Sequence, residues 1–408
     1  MRVLVIAQYF PPDMGGGATR ALNAAQGLSI AGCDVTVIAA FPHYPTGNVP
    51  KNCRMRPFTV DRIGDLKLFR TFVPPIASVG YFRRLILFIS FIFSSLFVYF
   101  HIGPVDVVWV ANPNVTAMMP GIVYSRMKKC PVVQNVDDLW PEVLFEIGVK
   151  KQSIFGRIAT LFAKIAYRFA DALTPISPAY TEVIARNYSF PRSKIFEVKA
   201  GVDLSRFPKS DPKLPHKGPF RVLYIGAFSP AYDFEQVFYA ARLLQNENIE
   251  FVIQGGGELS HRLLEQSKVM KLNSLHIVNK IVDRKEVARL LSTANALLLP
   301  LGGSEMVEYG ISSKLYEYQA SGRPILCISK GQPGRYIKDT NSGIVIPSGD
   351  SKALAEAILF LRANEEEANR MGRNGRRFVE QNLSIEHIGK QLRQVLQTVR
   401  EAKKKADS

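Results

Sequence analysis

Acidic residues are in short supply in this chain: 35 Asp and Glu stand against 52 Lys and Arg, a formal net charge of +17 over 408 residues. That excess attracts anionic partners, whether nucleic acid, an acidic membrane surface or phosphorylated substrates, and says nothing about fold. Cysteine is scarce as well. Cys33, Cys53, Cys130 and Cys327 form no CxxC pair, which argues against a zinc site or a disulfide framework and fits a reducing, cytoplasmic setting. No apolar run is long enough to span a bilayer. The most hydrophobic, Leu85 to Phe100, reaches about 24 Å as a helix, against a hydrocarbon core of ~30 Å. The start, MRVLVIAQYF, reads as a strand and lacks a cleavage signature, so no signal peptide is expected.

A dinucleotide fingerprint is missing too. Gly15, Gly16 and Gly17 follow the first strand, yet counting from Gly15 puts Arg20 where the last small residue should be. The second strand ends Ala40-Phe41-Pro42, without the acid that binds a ribose, so NAD is not expected. Single-stranded nucleic acid calls for interleaved basic and aromatic residues, whereas the basic residues here flank apolar helices.

What is present is a βαβ series. Val3 to Ala7 reads as a buried strand, Tyr9 to Thr19 as a loop, Arg20 to Ile30 as a helix and Asp34 to Ala39 as the next strand. Strand signals continue at Asp106 to Ala111, Pro131 to Val136, Ala172 to Ile176 and Ile195 to Val198. A Pro/Lys-rich stretch then breaks the pattern, and a second series begins at Arg221. Its strands are Arg221 to Ile225, Phe251 to Gln254, Leu275 to Val278, Ala296 to Leu299 and Ile325 to Ile328. The expectation is an α/β protein with two Rossmann-like parallel-sheet domains facing a central cleft. Residues 1–207 would form the first domain, 208–219 the linker, 220–384 the second domain and 385–408 a C-terminal helix with a basic, frayed tail.

Three stretches attract attention. From Gly302 to Pro324 a Gly/Ser loop precedes a short helix predicted over Lys314 to Ser321, with Ser312 and Ser313 as caps. A helix N-terminus with Lys314 in its first turn suits a phosphate, and Glu317, one turn deeper, suits sugar hydroxyls; a surface helix with a Lys–Glu pair is the alternative. Asp137 and Asp138 follow the strand ending at Val136, where open parallel sheets bind ligands; an N-cap for the next turn is the competing explanation. Arg20 lies where it could meet a phosphate, or is a structural surface arginine.

The third is a pair of apolar segments. Leu85 to Phe100 reads as a helix in the membrane surface, with Arg83, Arg84, Leu85, Phe88, Phe91 and Phe97 as membrane-associating residues; a helix buried against the sheet is the alternative. In the second segment, Ile154, Ile158, Leu161, Ile165 and Phe169 make an apolar stripe beside Lys151, Arg157, Lys164 and Arg168. Together with the charge, these favour peripheral membrane contact.

In order and spacing, YFPPDMGGGATR, VDDLWPE, KAGVDLSRF and SSKLYEYQASGRPIL resemble the retaining family 4 glycosyltransferases of GT-B type along nearly the whole chain. The branch resembled is that of N-acetyl-L-fucosamine and related amino-sugar transferases of surface polysaccharide assembly. The resemblance implies transfer from a nucleotide diphosphate sugar, UDP-linked, to a lipid-linked or glycan acceptor at the inner face of the cell membrane. It implies no metal and no cofactor. Asp138 and Lys314 would be catalytic. Gly16, Gly17, Arg20, Gly226, Gly255, Ser312, Ser313, Lys314 and Glu317 would bind the donor.

Two departures stand out. Many members carry a first acid where this chain has Tyr309, and an Arg and a Lys where it has Ala227 and, nearby, Asp233. Lys314 is the natural substitute cation for a diphosphate otherwise short of charge. A nucleotide-sugar epimerase, and a basic membrane- or nucleic-acid-binding protein without catalysis, are the alternatives. Oligomeric state is not legible.

Overall fold

The computed structural model describes residues 1–44, 46–54, 56–77, 80–111, 114–146, 148–207 and 218–407. The chain divides into two compact units, one of residues 1–201 with 385–408, the other of residues 202–384.

The first unit is built on strands β1 (Arg2–Ala7), β2 (Asp34–Ala40), β3 (Phe58–Ile63), β4 (Leu66–Thr71), β5 (Val107–Ala111), β6 (Val132–Val136) and β7 (Ala172–Pro175). Their order in the sheet is β3-β4-β2-β1-β5-β6-β7. All pairings are parallel except β3 with β4, an antiparallel edge hairpin. The inner strands are continuous runs such as VVWVA, fully buried because helices cover both faces. Those helices are α1 (Gly16–Ile30), α2 (Tyr81–Leu96), α3 (Met118–Lys128), α4 (Glu142–Glu146), α5 (Ile154–Phe169) and α6 (Pro178–Tyr188).

The second unit carries β8 (Phe220–Ala227), β9 (Ile249–Gly256), β10 (Leu275–Asn279), β11 (Ala296–Pro300), β12 (Ile325–Ile328) and β13 (Gly343–Ile346), in the order β10-β9-β8-β11-β12-β13. Numbered from its own first strand this is 3-2-1-4-5-6, the doubly wound order whose switch point falls between β8 and β11. Its helices are α7 (Phe234–Leu243), α8 (Ser260–Met270), α9 (Arg284–Ser292), α10 (Glu305–Tyr309), α11 (Ser313–Ala320), α12 (Gln332–Thr340), α13 (Ser351–Ala363) and α14 (Glu365–Asn382). Both units are thus Rossmann-like.

The last helix, α15 (Ile385–Asp407), returns to the first unit and lies along α1. Its Ile388, Leu392 and Leu396 are buried. The two backbones approach so closely at Gly27 and Gly389 that a Cβ at either would strike the other helix. Arg400 pairs with Asp106 at 2.9 Å and Lys403 with Asp171 at 3.1 Å, which pins the helix to the sheet of the first unit.

Several expectations need correction. Residues 202–207 belong to the second unit, because the Val202 amide donates to the Leu383 carbonyl at 2.7 Å and Val202 bridges Ser384. The expected linker falls mostly on residues 208–217, outside the described residues. The glycine run opens α1 at Gly16 instead of forming a loop up to Thr19. Ile195 to Val198 make one bridge to Leu173 and no strand. The β3–β4 hairpin had no sequence signal, since FTVDRI is nowhere fully buried.

No described helix is long and apolar enough to cross a membrane. Along α2, Phe88 and Phe91 are core residues, packed inward with Leu87, which corrects their assignment to a membrane face. Arg83, Arg84, Phe93 and Phe97 do face outward, and Leu85 is half-buried. Helix α5 packs on its small residues and turns its large apolar ones outward. Gly156, Ala159, Ala163 and Ala166 face the core, while Ile154 (80% exposed), Leu161 (57%) and Phe169 stand in solvent beside Arg157, Lys164 and Arg168.

Candidate active site

In the second unit the site is built at the switch point. Ser312 caps α11, its hydroxyl accepting from the Lys314 amide at 3.4 Å, so the helix starts one residue earlier than predicted, at Ser313. The amides of that first turn carry the positive end of the helix dipole. Lys314 reaches from there to the end of β8. Its Nζ donates to the hydroxyl of Tyr232 at 2.5 Å and of Tyr224 at 3.4 Å, and stands 4.3 Å from the Tyr232 ring centroid and 5.3 Å from that of Tyr224. Among the described residues no carboxylate pairs with it. Two aromatic rings therefore hold the ammonium by cation–π attraction while leaving its charge uncompensated.

Gly226 makes this reach feasible, because a Cβ there would collide with the Lys314 ammonium. Gly255, its register partner on β9, has no room for a Cβ against the Gly226 carbonyl, so its part is to seat the strand end. Tyr232 is fixed by its neighbours. The Asp233 amide donates to the Pro300 carbonyl and the Gly302 amide to the Ala231 carbonyl, both at 2.8 Å, which ties this loop to the end of β11. Asp233, standing near where relatives carry a lysine, instead caps α7 by accepting from the amides of Glu235 and Gln236.

Glu317 lies one turn below Lys314, its carboxylate oriented by arginines. Arg284 grips both of its oxygens, at 3.0 and 3.2 Å, and Arg206 stands 3.9 Å away. A second carboxylate escaped sequence reading altogether. Glu308, buried on α10, accepts from Ser329 and from the amides of Lys330 (3.0 Å) and Gly331 (2.7 Å), fixing the loop that enters α12. Its position next to Tyr309 was the only signal available.

In the first unit, Asp137 and Asp138 leave the end of β6 and part ways. Asp137 is buried and held by a polar chain across the sheet. Trp109 donates to Thr174, Thr174 to Asn135 (3.1 Å), and the Asn135 amide to Asp137 (2.8 Å). Arg20 of α1 faces the same carboxylate at 3.4 Å. Asp138 is half-buried, and burial pushes its pKa up to about 6 against the pull of the Arg20 charge, with the Asp137 charge adding to the rise.

Asp138 opens onto a cavity of about 300 Å³, whose walls include Gly16, Gly17, Tyr44, Asn114 and Trp140, with Arg84 and Phe88 from α2. Phe88 meets the Trp140 ring edge-on at 6.2 Å between centroids. Asp13 shapes the rim by accepting from the amides of His43 (2.8 Å) and Tyr44 (2.9 Å). Gly16 and Gly17 thus meet Asp138 in one cavity, whereas Arg20 is committed to Asp137. Among the described residues, no three His, Cys, Asp or Glu side chains converge to hold a metal ion.

Comparison with known proteins agrees with this architecture. The putative colanic acid biosynthesis glycosyltransferase WcaL of Escherichia coli is 25% identical over 276 residues, 63% of this chain and 67% of its own. The D-rhamnosyltransferase WbpZ of Pseudomonas aeruginosa is 26% identical over 225 residues, 52% and 56% of the two chains. The match thus spans little more than half to two thirds of the length of these relatives. Among solved structures, sucrose-phosphate synthase from Thermosynechococcus elongatus superimposes with a TM-score of 0.78 at 18% identity, covering 98% of this chain and 100% of that one. HepE of Anabaena in complex with UDP-glucose does so with a TM-score of 0.67 at 14% identity, with 98% and 100% covered. Residues 14–206 match the family model described as Glycosyltransferase Family 4, and residues 206–378 that described as Glycosyl transferases group 1. With consecutive matches over residues 14–378 and two Rossmann-like units, the chain belongs to the glycosyltransferases of the group 1 and family 4 type, built on the GT-B fold.

Proposed function

We propose that this protein transfers a sugar from a nucleotide diphosphate sugar, UDP-linked, to a lipid-linked or glycan acceptor at a membrane surface, with retention at the anomeric carbon and without a metal ion. The observation that carries the reading is Lys314, an uncompensated cation held by Tyr224 and Tyr232 at the N-terminus of α11. As the glycosidic bond breaks, negative charge grows on the leaving diphosphate. A fixed ammonium beside a helix N-terminus stabilises that charge more in the transition state than in the ground state. Ser312 and Ser313 present this turn, and Gly226 keeps the approach open. Glu317, oriented by Arg284, receives the ribose hydroxyls. Asp138 acts as a carboxylate that orients the sugar or the acceptor hydroxyl, in the cavity lined by Gly16 and Gly17.

Two further points support the substrate classes. HepE of Anabaena binds UDP-glucose, and the curated relatives include enzymes of colanic acid and amylovoran biosynthesis. The outward faces of α2 and α5, with Arg83, Arg84, Phe97, Ile154 and Leu161, combine apolar and cationic groups as an interfacial helix does. The test is incubation with a panel of nucleotide sugars and membrane extract. Nucleoside diphosphate is released with a matching sugar, and Lys314→Ala lowers the release about a hundredfold; a loss below about tenfold in that variant refutes the phosphate role. Isomerised free nucleotide sugar without acceptor would point to an epimerase instead.

A further inference from the structure

A second cavity in the first unit, of about 520 Å³, lies away from the residues named above, between the last turns of α5 and α6. Lys164 and Arg168 of α5 and Lys194, from the turn after α6, supply three cations to its wall. All three are exposed, and none pairs with a carboxylate among the described residues. Asn187 and Tyr188 form the inner side and hold the Glu142 carboxylate behind them, at 3.2 and 3.0 Å. Tyr167, 3% exposed and also in the wall, has a buried hydroxyl with no hydrogen-bond partner. The Glu142 carboxylate acts on that hydroxyl, and one of its own oxygens is likewise buried without a hydrogen-bond partner among the described residues, so this tyrosine belongs to the support behind the cavity wall.

Charge counting narrows the ligand. Two helix C-termini contribute roughly half a negative charge each, and Glu142 one more. Set against three cations, they leave roughly one positive charge. That balance suits a singly charged phosphodiester better than a phosphomonoester, which carries close to two charges. Leu161 and Phe169 stand exposed on the same helix beside Lys164 and Arg168, so an apolar seat adjoins the charged one.

We propose that this cavity binds the phosphodiester headgroup of an anionic membrane phospholipid, with its acyl chains along the outer face of α5. The proposal rests on the membrane reading above and adds a defined lipid site to it. The experiment titrates the full chain with dihexanoylphosphatidylglycerol below its micelle concentration, in parallel with inorganic phosphate, and separately measures sedimentation with phosphatidylglycerol vesicles. Saturable binding of one short-chain lipid is expected, weakened about fivefold in Lys194→Gln. Arg62→Gln, which removes the same charge from the edge hairpin, leaves it unchanged. No saturable binding, equal affinity for inorganic phosphate, or wild-type binding in Lys194→Gln overturns the site. Failure of the wild type to sediment with vesicles while the short-chain lipid still saturates overturns the membrane reading alone.

Discussion

At the end of β6 the buried Asp137 is matched by Arg20, and the carboxylate beside it, Asp138, is left with a pKa near 6; at the start of α11 the matched group is Glu317, gripped by Arg284, and the one left over is the cation Lys314. Each unit therefore pairs one charge internally and leaves its neighbour uncompensated, with opposite sign in the two. The supports differ accordingly. A polar chain from Trp109 through Thr174 and Asn135 holds the first, so its geometry depends on buried hydrogen bonds. Neutral aromatic groups hold the second, orienting the ammonium without cancelling its charge.

Breaking the first arrangement has the largest expected effect. Arg20→Met leaves Asp137 buried without its counter-ion and destabilises the first unit by about 3 kcal/mol, read as a lower urea midpoint. A midpoint equal to the wild type would mean that Asp137 is sustained by Asn135 alone. Next, Lys314→Ala lowers sugar transfer about a hundredfold with an unchanged unfolding curve; a loss below tenfold would remove the cation from the mechanism. Tyr232→Phe keeps the ring and removes the hydroxyl, so it tests the hold on Lys314 itself. About a tenfold fall in kcat/KM is expected, and none is expected from Tyr239→Phe on the exposed side of α7. The smallest effect is in pH. The folded pKa of Asp138 is raised, so the side chain is protonated below about 6 and ionised above it. From pH 6 to 8 the ionised fraction, and with it the transfer rate, rises about twofold; Asp138→Asn flattens that step, and a step that persists assigns it to another group.

Much of this was legible because buried parallel strands announce themselves as unbroken apolar runs, and the cap, lysine and glutamate of α11 sit within one local stretch. The parts that were not legible depend on distant residues or on inverted packing. Nothing local ties Tyr224 and Tyr232 to Lys314, some 80 to 90 positions away. Helix α5 turns its large apolar residues outward and its alanines inward, and hydrophobic periodicity finds such a stripe without saying whether core or surface takes it. Phe88 and Phe91 misled, since a helix apolar on most sides does not declare which side is core. Arg20 was read as a phosphate ligand or a surface residue because its partner lies more than a hundred residues on.

The return of α15 to α1 has a consequence for how the protein is made. The second unit is a continuous stretch, 202–384, and can fold as soon as it leaves the ribosome. The first is synthesised in two instalments, and the small-residue face of α1 around Gly27 has no cover until Ile388, Leu392 and Leu396 have been made. A ribosome stalled before those codons would therefore present a finished second unit attached to an unfinished, sticky first one, a natural substrate for chaperones.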